Sequence, residues 1–409
     1  MGGGGAERQV LEILKRLDRT RFRPVLYLAI QKGELLPEVP EDVPVFAYWD
    51  NSAEKWYVRI FRYLKLTRLM RQIYMAKILH TQRIDVIYDR TYLATLDADG
   101  GCWFRPTPRI SCCVADPGPE LELHARFSVN MAWWFAQRAY RKASVVLANS
   151  EGLRKRVIDY FQLNPDHVEV FGNLLTNIRG DQSPQAGRDV PAVSTSELHQ
   201  PATSNDIGRT DILADSSQRL FMIMNAGRLH PQKGHRFLLQ AIDELVHRRG
   251  RELKLIIFGQ GETEADLREF IQSHDLESFV TLGGFVADPR HWYQQADLFV
   301  LPSSFEGMPN ALIEAVACGV PALSTDCPSG PFEILDGGRC GGLVPTDDPD
   351  ALADGIADAM DHHDEWKARA IVARERVQQM FDPVRITHRL EDLLERVAAK
   401  QPVGRIEHS

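Results

Sequence analysis

The sequence predicts an α/β protein of two parallel-sheet domains. Three observations carry that expectation. Short apolar runs that read as buried strands alternate with helical stretches in both halves of the chain. At 409 residues the chain is too long for one core and fits two domains with additional segments. Between the halves, residues 179–217 are rich in Ser, Thr, Pro, Gln and Asp and lose both large apolar residues and periodicity, which predicts a solvent-exposed, disordered insertion. The expected division is therefore a first domain over 1–178, the insertion over 179–217, a second domain over 218–380, and a closing helix and tail over 381–409.

Composition bounds the function. Hydrophobic residues make up 44% and charged residues 25%, the proportions of a soluble protein. No apolar run is long enough to span a bilayer, and no signal peptide precedes the first polar residues. Cys102, Cys112, Cys113, Cys318, Cys327 and Cys340 show no paired zinc spacing and read as the reduced thiols of a cytoplasmic protein. Charge is uneven. Residues 1–178 hold 25 Lys and Arg against 20 Asp and Glu, a net +5, while the remainder holds 23 against 36, a net −13. The basic half is the one to ask about an anionic partner. Nucleic acid is not expected, since the rest of the chain is acidic and no DNA or RNA module appears.

In chain order, Met1 to Arg8 reads as a glycine loop running into a helix over 6–17, with Val10, Ile13, Leu14 and Leu17 on one face. Glycine ahead of a helix lets backbone amides approach a ligand, although an N-terminal glycine run is also a common floppy end. Strands are expected over 24–30, 43–48, 84–88, 109–115, 144–149 and 167–171, with helices near 55–80, 121–141 and 150–162. Residues 55–83 hold eight cations and no acid, interleaved with aromatic residues such as Trp56, Tyr57 and Phe61. Such a helix can lie on an anionic membrane surface, or it can be a crossover helix whose cations face water. Asp97 and Asp99 are expected to be surface acids in a glycine-ended loop, and no metal site is expected there.

The second domain opens with a strand over 220–226, followed by Gly227-Arg-Leu-His-Pro-Gln-Lys-Gly234. Arg228 and Lys233, around one tight loop, can clamp two adjacent phosphates. The strand over 253–258 ends in Gly259-Gln-Gly261, but Glu264 stands where a dinucleotide fingerprint needs its third glycine, so NAD is not expected. The turn is expected to let the backbone approach a base or ribose. A strand over 280–284 precedes Phe285. Leu298 to Leu301 is an apolar strand, broken by Pro302, Ser303, Ser304 and Gly307 into a loop. Pro309 suits the first position of a helix that Gly319 closes. The N–H groups of Asn310, Ala311 and Leu312 then form a phosphate site at the positive end of the helix, behind Gly307 and Met308. Glu306 on one side and Glu314 on the other can accept hydroxyl hydrogen bonds, Glu314 from a ribose. Strand, loop and helix start together describe a nucleotide-sugar site. Helical stretches over 348–361, 363–380 and 384–397 complete the chain.

Glu306 and Glu314, set in Ser-Ser-Phe-Glu-Gly-Met-Pro-Asn-Ala-Leu-Ile-Glu-Ala and followed by Cys318-Gly-Val-Pro-Ala, resemble the hallmark of retaining glycosyltransferases of family 4, the group 1 glycosyl transferases. Gly4, Gly5, Ala6, Glu7 and Arg8 match the family's cleft-mouth run, and Arg228 and Lys233 its Gly-Arg…Lys-Gly pattern. The resemblance covers nearly the whole chain outside the insertion. It implies the GT-B fold, two Rossmann-like domains facing across a cleft, with the last helix crossing back to the first domain. It implies transfer of a hexosyl or N-acetylhexosaminyl group, with retention, from a nucleotide diphosphate sugar to a glycan or lipid-linked acceptor, in cell-surface polysaccharide or lipid-linked glycan synthesis at the inner face of the membrane. Arg228 and Lys233 would be diphosphate ligands and Glu306 would hold donor-sugar hydroxyls. Gly4, Gly5, Gly227, Gly259, Gly261, Phe285, Gly307, Met308, Asn310, Ala311, Leu312 and Glu314 would line the donor site, Phe285 near the base. No cofactor or metal is implied. One departure stands out. The histidine that many members carry after the strand over 109–115 is missing; Asp116 occupies that neighbourhood, and His124 lies beyond the Pro-Gly-Pro break. Rival readings are another enzyme of the same fold, a nucleotide-sugar epimerase or a phosphorylase, and a non-catalytic membrane or partner-binding module. A doubly wound domain also places a strand before its first glycine loop, so the chain is expected to lack that strand, whose place would be between the strands over 24–30 and 84–88.

Overall fold

A computed structural model describes residues 5–33, 35–49, 67–124, 129–175, 220–286 and 288–399. The expectations for Gly4, for 55–66 and for the insertion over 179–217 lie outside these residues. The first domain runs α1 (Gly5–Arg16), β1 (Leu26–Ile30), β2 (Val45–Trp49), α2 (Thr67–Thr81), β3 (Ile87–Arg90), α3 (Tyr92–Gly101), β4 (Arg109–Cys113), α4 (Pro117–His124), α5 (Val129–Lys142), β5 (Val145–Ala148), α6 (Glu151–Phe161) and β6 (Val168–Val170). Strands β3, β4, β5 and β6 form one parallel sheet in that order, while β1 and β2 pair separately, also in parallel. Among the described residues no strand pairs with both β1 and β3. Strands β4 and β5 are buried along their whole length, as strands covered on both faces should be.

The second domain runs β7 (Phe221–Ala226), α7 (His235–Asp243), β8 (Leu253–Phe258), α8 (Glu264–Ser273), β9 (Val280–Gly284), α9 (Arg290–Tyr293), β10 (Leu298–Leu301), α10 (Asn310–Ala317), β11 (Ala322–Thr325), α11 (Pro331–Ile334), β12 (Gly342–Val344), α12 (Pro349–Asp361) and α13 (His363–Met380). Its six parallel strands stand in the order β12-β11-β10-β7-β8-β9. The chain winds outward from β7 on one side and from β10 on the other. The β7–β10 boundary is thus the topological switch point, where open parallel sheets bind ligands beyond the strands' carboxyl ends. The last helix, α14 (Pro383–Ala399), returns to the first domain. Its Glu391 accepts from the Asp18 N–H at 2.8 Å and pairs with Arg21 at 3.0 Å, and Arg396 pairs with Glu169 at 2.6 Å.

Three local expectations are corrected. In place of the predicted helix over 121–141 stand α4, which Pro117 starts four residues earlier, and α5, which begins at Val129. Pro309 sits at the cap of α10, one residue before its first turn. Asp97 and Asp99 lie within α3, not in a surface loop, and are 2% and 6% exposed. They stay there because arginines surround them. Arg71 pairs with Asp97 at 3.2 Å, and Arg109 and Arg138 pair with Asp99 at 3.3 and 2.7 Å. Burial still pushes the Asp97 carboxyl up to about 6, against the pull of Arg71 and Arg68.

Candidate donor-binding site

At the switch point, two loops meet. The loop after β7 ends in Gly234, and the loop after β10 begins at Pro302. The Ser304 N–H donates to the Gln232 carbonyl at 2.9 Å, and the Gln232 side-chain amide donates to the Phe305 carbonyl at 2.8 Å. Gly234 has φ +63°, and a Cβ there would stand 1.9 Å from the Pro302 oxygen, so only glycine allows this approach. Below the loops, the Asn225 amide donates to the Val300 carbonyl at 2.9 Å, tying β7 to β10. Its carbonyl oxygen is 3.0 Å from Nε2 of His235. Burial, reinforced by Lys233, pushes the His235 pKa down to about 4, so the ring is neutral and its Nε2–H donates to Asn225.

This platform presents the charged groups. The Lys233 ammonium lies 2.5 Å from Oε1 of Glu306, which is 5% exposed. The Ser303 hydroxyl donates to the same carboxylate oxygen at 2.7 Å, and the Ser329 hydroxyl donates to the Glu306 backbone carbonyl at 2.7 Å. Glu306 is therefore fixed at both ends. Arg228, on the same loop as Lys233, is exposed. Two residues of opposite charge that the sequence places in separate motifs are thus direct partners.

The start of α10 lies beside them. Its cap residue is Pro309, with φ −74° and ψ 106°, and no side chain caps the first N–H groups, those of Asn310, Ala311 and Leu312. The first domain comes up to this helix start. The Asn310 amide donates to the Gly5 carbonyl at 3.2 Å, and Asn173 donates to the Asn310 side-chain oxygen at 2.7 Å and to the Met308 carbonyl at 3.1 Å. Arg90 in turn donates to Asn173 at 2.6 Å. Gly307 faces the end of β4 so closely that a Cβ would stand 1.9 Å from the Val114 oxygen. Glu333 accepts from the Gly152 N–H at 2.8 Å.

The remaining predicted residues fall around this centre. Gly259 and Gly261 serve packing: a Cβ on them would lie 1.8 Å from the Gly227 oxygen and 2.1 Å from the Leu229 oxygen. They let the loop after β8 lie flat against the loop after β7. Phe285 follows β9, one strand farther out, beside Gly284, whose carbonyl accepts from the Gly259 N–H at 2.8 Å. Glu314 is half-buried on α10, near enough to Cys318 to help burial push that thiol up to about 11. Asp116 is 1% exposed and paired with Arg156 at 2.5 Å, so the residue standing in for the expected histidine belongs to a structural ion pair. Among the described residues no group of three or more His, Cys, Asp or Glu side chains is arranged to hold a metal ion. Sequence reasoning does not find Ser303, Arg90, Asn173 or Val114. The one signal the sequence offers is Asn173, a lone amide between apolar residues near the end of the first domain.

Comparison with known proteins agrees with this architecture. Residues 3–175 match the model of Glycosyltransferase Family 4, and residues 221–362 match that of Glycosyl transferases group 1. An N-acetylgalactosamine-N,N'-diacetylbacillosaminyl-diphospho-undecaprenol 4-alpha-N-acetylgalactosaminyltransferase from Campylobacter jejuni is 26% identical over 390 residues, 94% of each chain. The amylovoran biosynthesis glycosyltransferase AmsK of Erwinia amylovora is 30% identical over 194 residues, 46% of this chain and 47% of that one. Among solved structures, Anabaena HepE in complex with UDP and glucose superposes with a TM-score of 0.72 at 20% identity, covering 96% of each chain. Sucrose-phosphate synthase from Thermosynechococcus elongatus gives 0.72 at 16% identity, covering 97% of this chain and 93% of that one. With both domains matched and the two-domain fold shared along the chain, this protein belongs to the group 1, family 4 glycosyltransferases of GT-B fold.

Proposed function

We propose that the protein transfers a hexosyl or N-acetylhexosaminyl group from a nucleotide diphosphate sugar to a hydroxyl of a glycan or lipid-linked acceptor, with retention of configuration. The observation that carries this reading is the Lys233–Glu306 pair at the switch point, next to the uncapped start of α10. A diphosphate seated there would meet Lys233, Arg228 and the N–H groups of Asn310, Ala311 and Leu312. These groups would stabilise the negative charge that grows as the glycosidic C–O bond to phosphate breaks. That role is filled by cationic side chains and amides, so the reaction needs no metal. Freed from Lys233, the Glu306 carboxylate would accept hydroxyl hydrogen bonds from the donor sugar, and Glu314 those of the ribose. No side chain is assigned as nucleophile. The acceptor oxygen forms its bond to the anomeric carbon on the face the phosphate leaves, and its proton passes to the departing phosphate oxygen. The relatives supply the substrate classes: HepE was solved with UDP and glucose, and the Campylobacter enzyme's name places its acceptor on diphospho-undecaprenol.

The test is a thermal-shift panel of nucleotide diphosphate sugars. The true donor at 100 times its dissociation constant should stabilise the fold by about 2.7 kcal/mol. A panel that includes uridine, guanosine and adenosine diphosphate sugars and yields no stabilisation contradicts the reading.

A further inference from the structure

The first domain carries a second surface, on its helical layer. Helices α2 and α5 flank α3, which is buried along most of its length. The outer side of α2 presents Leu69, Ile73 and Lys77 at four-residue intervals, with Leu69 45% and Ile73 42% exposed. The outer side of α5 presents Met131 and Trp134, 50% and 53% exposed. Beyond the end of α3 stand Trp103 and Phe104, at 63% and 60%. The Arg138 guanidinium lies over the Trp103 ring at 4.5 Å, which joins this corner to α5. Single exposed apolar residues need no explanation, but here they gather on one helical layer.

The charges on this layer have one sign. Helices α2 and α5 contain Arg68, Arg71, Lys77, Arg138, Arg141 and Lys142 and not one acid. The two acids of α3 point inward and are matched by arginines. Lys77, Arg141 and Lys142 are left at the solvent side. A protein partner would favour an apolar centre depleted of lysine. Cations set among exposed tryptophan and aliphatic residues instead suit the boundary of an anionic bilayer, where aromatic rings sit at headgroup level and cations meet lipid phosphates.

We propose that the outer face of α2 and α5, with the Trp103–Phe104 corner, seats the protein on an anionic phospholipid surface. Trp103, Phe104 and Trp134 enter the headgroup boundary, and Lys77, Arg141 and Lys142 engage phosphates. Nothing in this proposal depends on the donor loops, so it stands or falls apart from the proposed reaction.

The experiment is co-sedimentation of the full chain with vesicles of phosphatidylcholine alone or mixed with phosphatidylglycerol. The protein should bind the mixed vesicles, release as salt rises, and show a blue-shifted tryptophan emission when bound. The double variant Arg141→Gln/Lys142→Gln should bind roughly 30-fold more weakly, about fivefold for each cation removed. Trp103→Ser/Phe104→Ser should lose both binding and most of the emission shift. Ile371→Ser/Val372→Ser, on the exposed side of α13 in the other domain, should leave binding unchanged. All six positions are at the surface, and each variant's melting temperature reports its folding. Three results overturn the proposal: equal binding to neutral vesicles, unchanged binding of both surface variants, or self-association without vesicle binding.

Discussion

The Lys233 ammonium and the Glu306 carboxylate lie 2.5 Å apart, with the Ser303 hydroxyl donating to the same carboxylate oxygen. The proposed function gives each of these charges a different part of a nucleotide diphosphate sugar to hold, and here they neutralise one another. In the proposed reaction a diphosphate entering the site would compete with Glu306 for Lys233, and in doing so would release Glu306 for the sugar. On that reading, donor binding and assembly of the sugar pocket would be coupled through one ion pair.

Glu306→Gln separates the two halves of that exchange. Turnover should fall ~10²–10³-fold, the scale for losing one preorganised partner. Affinity for the free nucleoside diphosphate should hold or rise, because Lys233 no longer has an anionic competitor. Calorimetric titration checks it, and a loss of diphosphate binding in step with turnover would argue against the coupling.

Gly234 and Gly250 share φ +63°, yet their surroundings differ. A Cβ at 234 meets the Pro302 oxygen at 1.9 Å, while at 250 nothing lies within 4 Å. Gly250→Ala should cost only the left-handed backbone term, about 1–2 kcal/mol. Gly234→Ala should cost clearly more and should lower activity, since the two donor loops must part. Denaturant unfolding of the two variants makes the comparison; equal costs would mean that the loops do not need this contact.

Much of this architecture is legible in the sequence. Strands β8, β9 and β10 fall on their predicted residues because short, mainly apolar runs ended by glycine or proline leave little freedom. The motif residues Lys233 and Glu306 come together because β7 and β10 are neighbours across the switch point. Helix α3 is not legible. It is buried on nearly every side, so Thr95, Asp97 and Asp99 face neighbours and the amphipathic period that marks a helix is missing. Its acids resemble surface residues in the sequence because the compensating charges, Arg71, Arg109 and Arg138, come from three other elements. Asn173 and Val114 are hidden for a similar reason: they matter only through a contact with the opposite domain.

Asp97 gives the fold a pH signature. Burial raises its folded pKa to about 6 from the ordinary 3.8, so the native state holds this proton more tightly than the unfolded chain. The stability this provides is complete below pH ~3.8 and is lost as pH rises through about 6. Relative to Asp97→Asn, the wild type should lose up to about 3 kcal/mol between those limits. Paired melting curves across that range measure the difference, and a gap independent of pH would show that Arg71 holds the carboxylate ionised throughout.

Chelation tests the proposal that the reaction has no metal step. Turnover should persist in excess chelator if, as proposed, Lys233, Arg228 and the α10 amides carry the charge on the leaving group. Activity that vanishes and returns on adding manganese would require a metal site that none of these residues provides.

The most direct measurement is the rate at which Lys233→Ala releases nucleoside diphosphate from the donor sugar, compared with the wild type at matched melting temperature. The variant leaves the buried Glu306 carboxylate without its cation but still hydrogen-bonded to Ser303, so its melting temperature is read first and the rate is compared on folded protein. Turnover should drop by ~10²–10³. An unchanged rate in the folded variant would show that the diphosphate does not leave against Lys233, and would contradict the site assigned at the switch point.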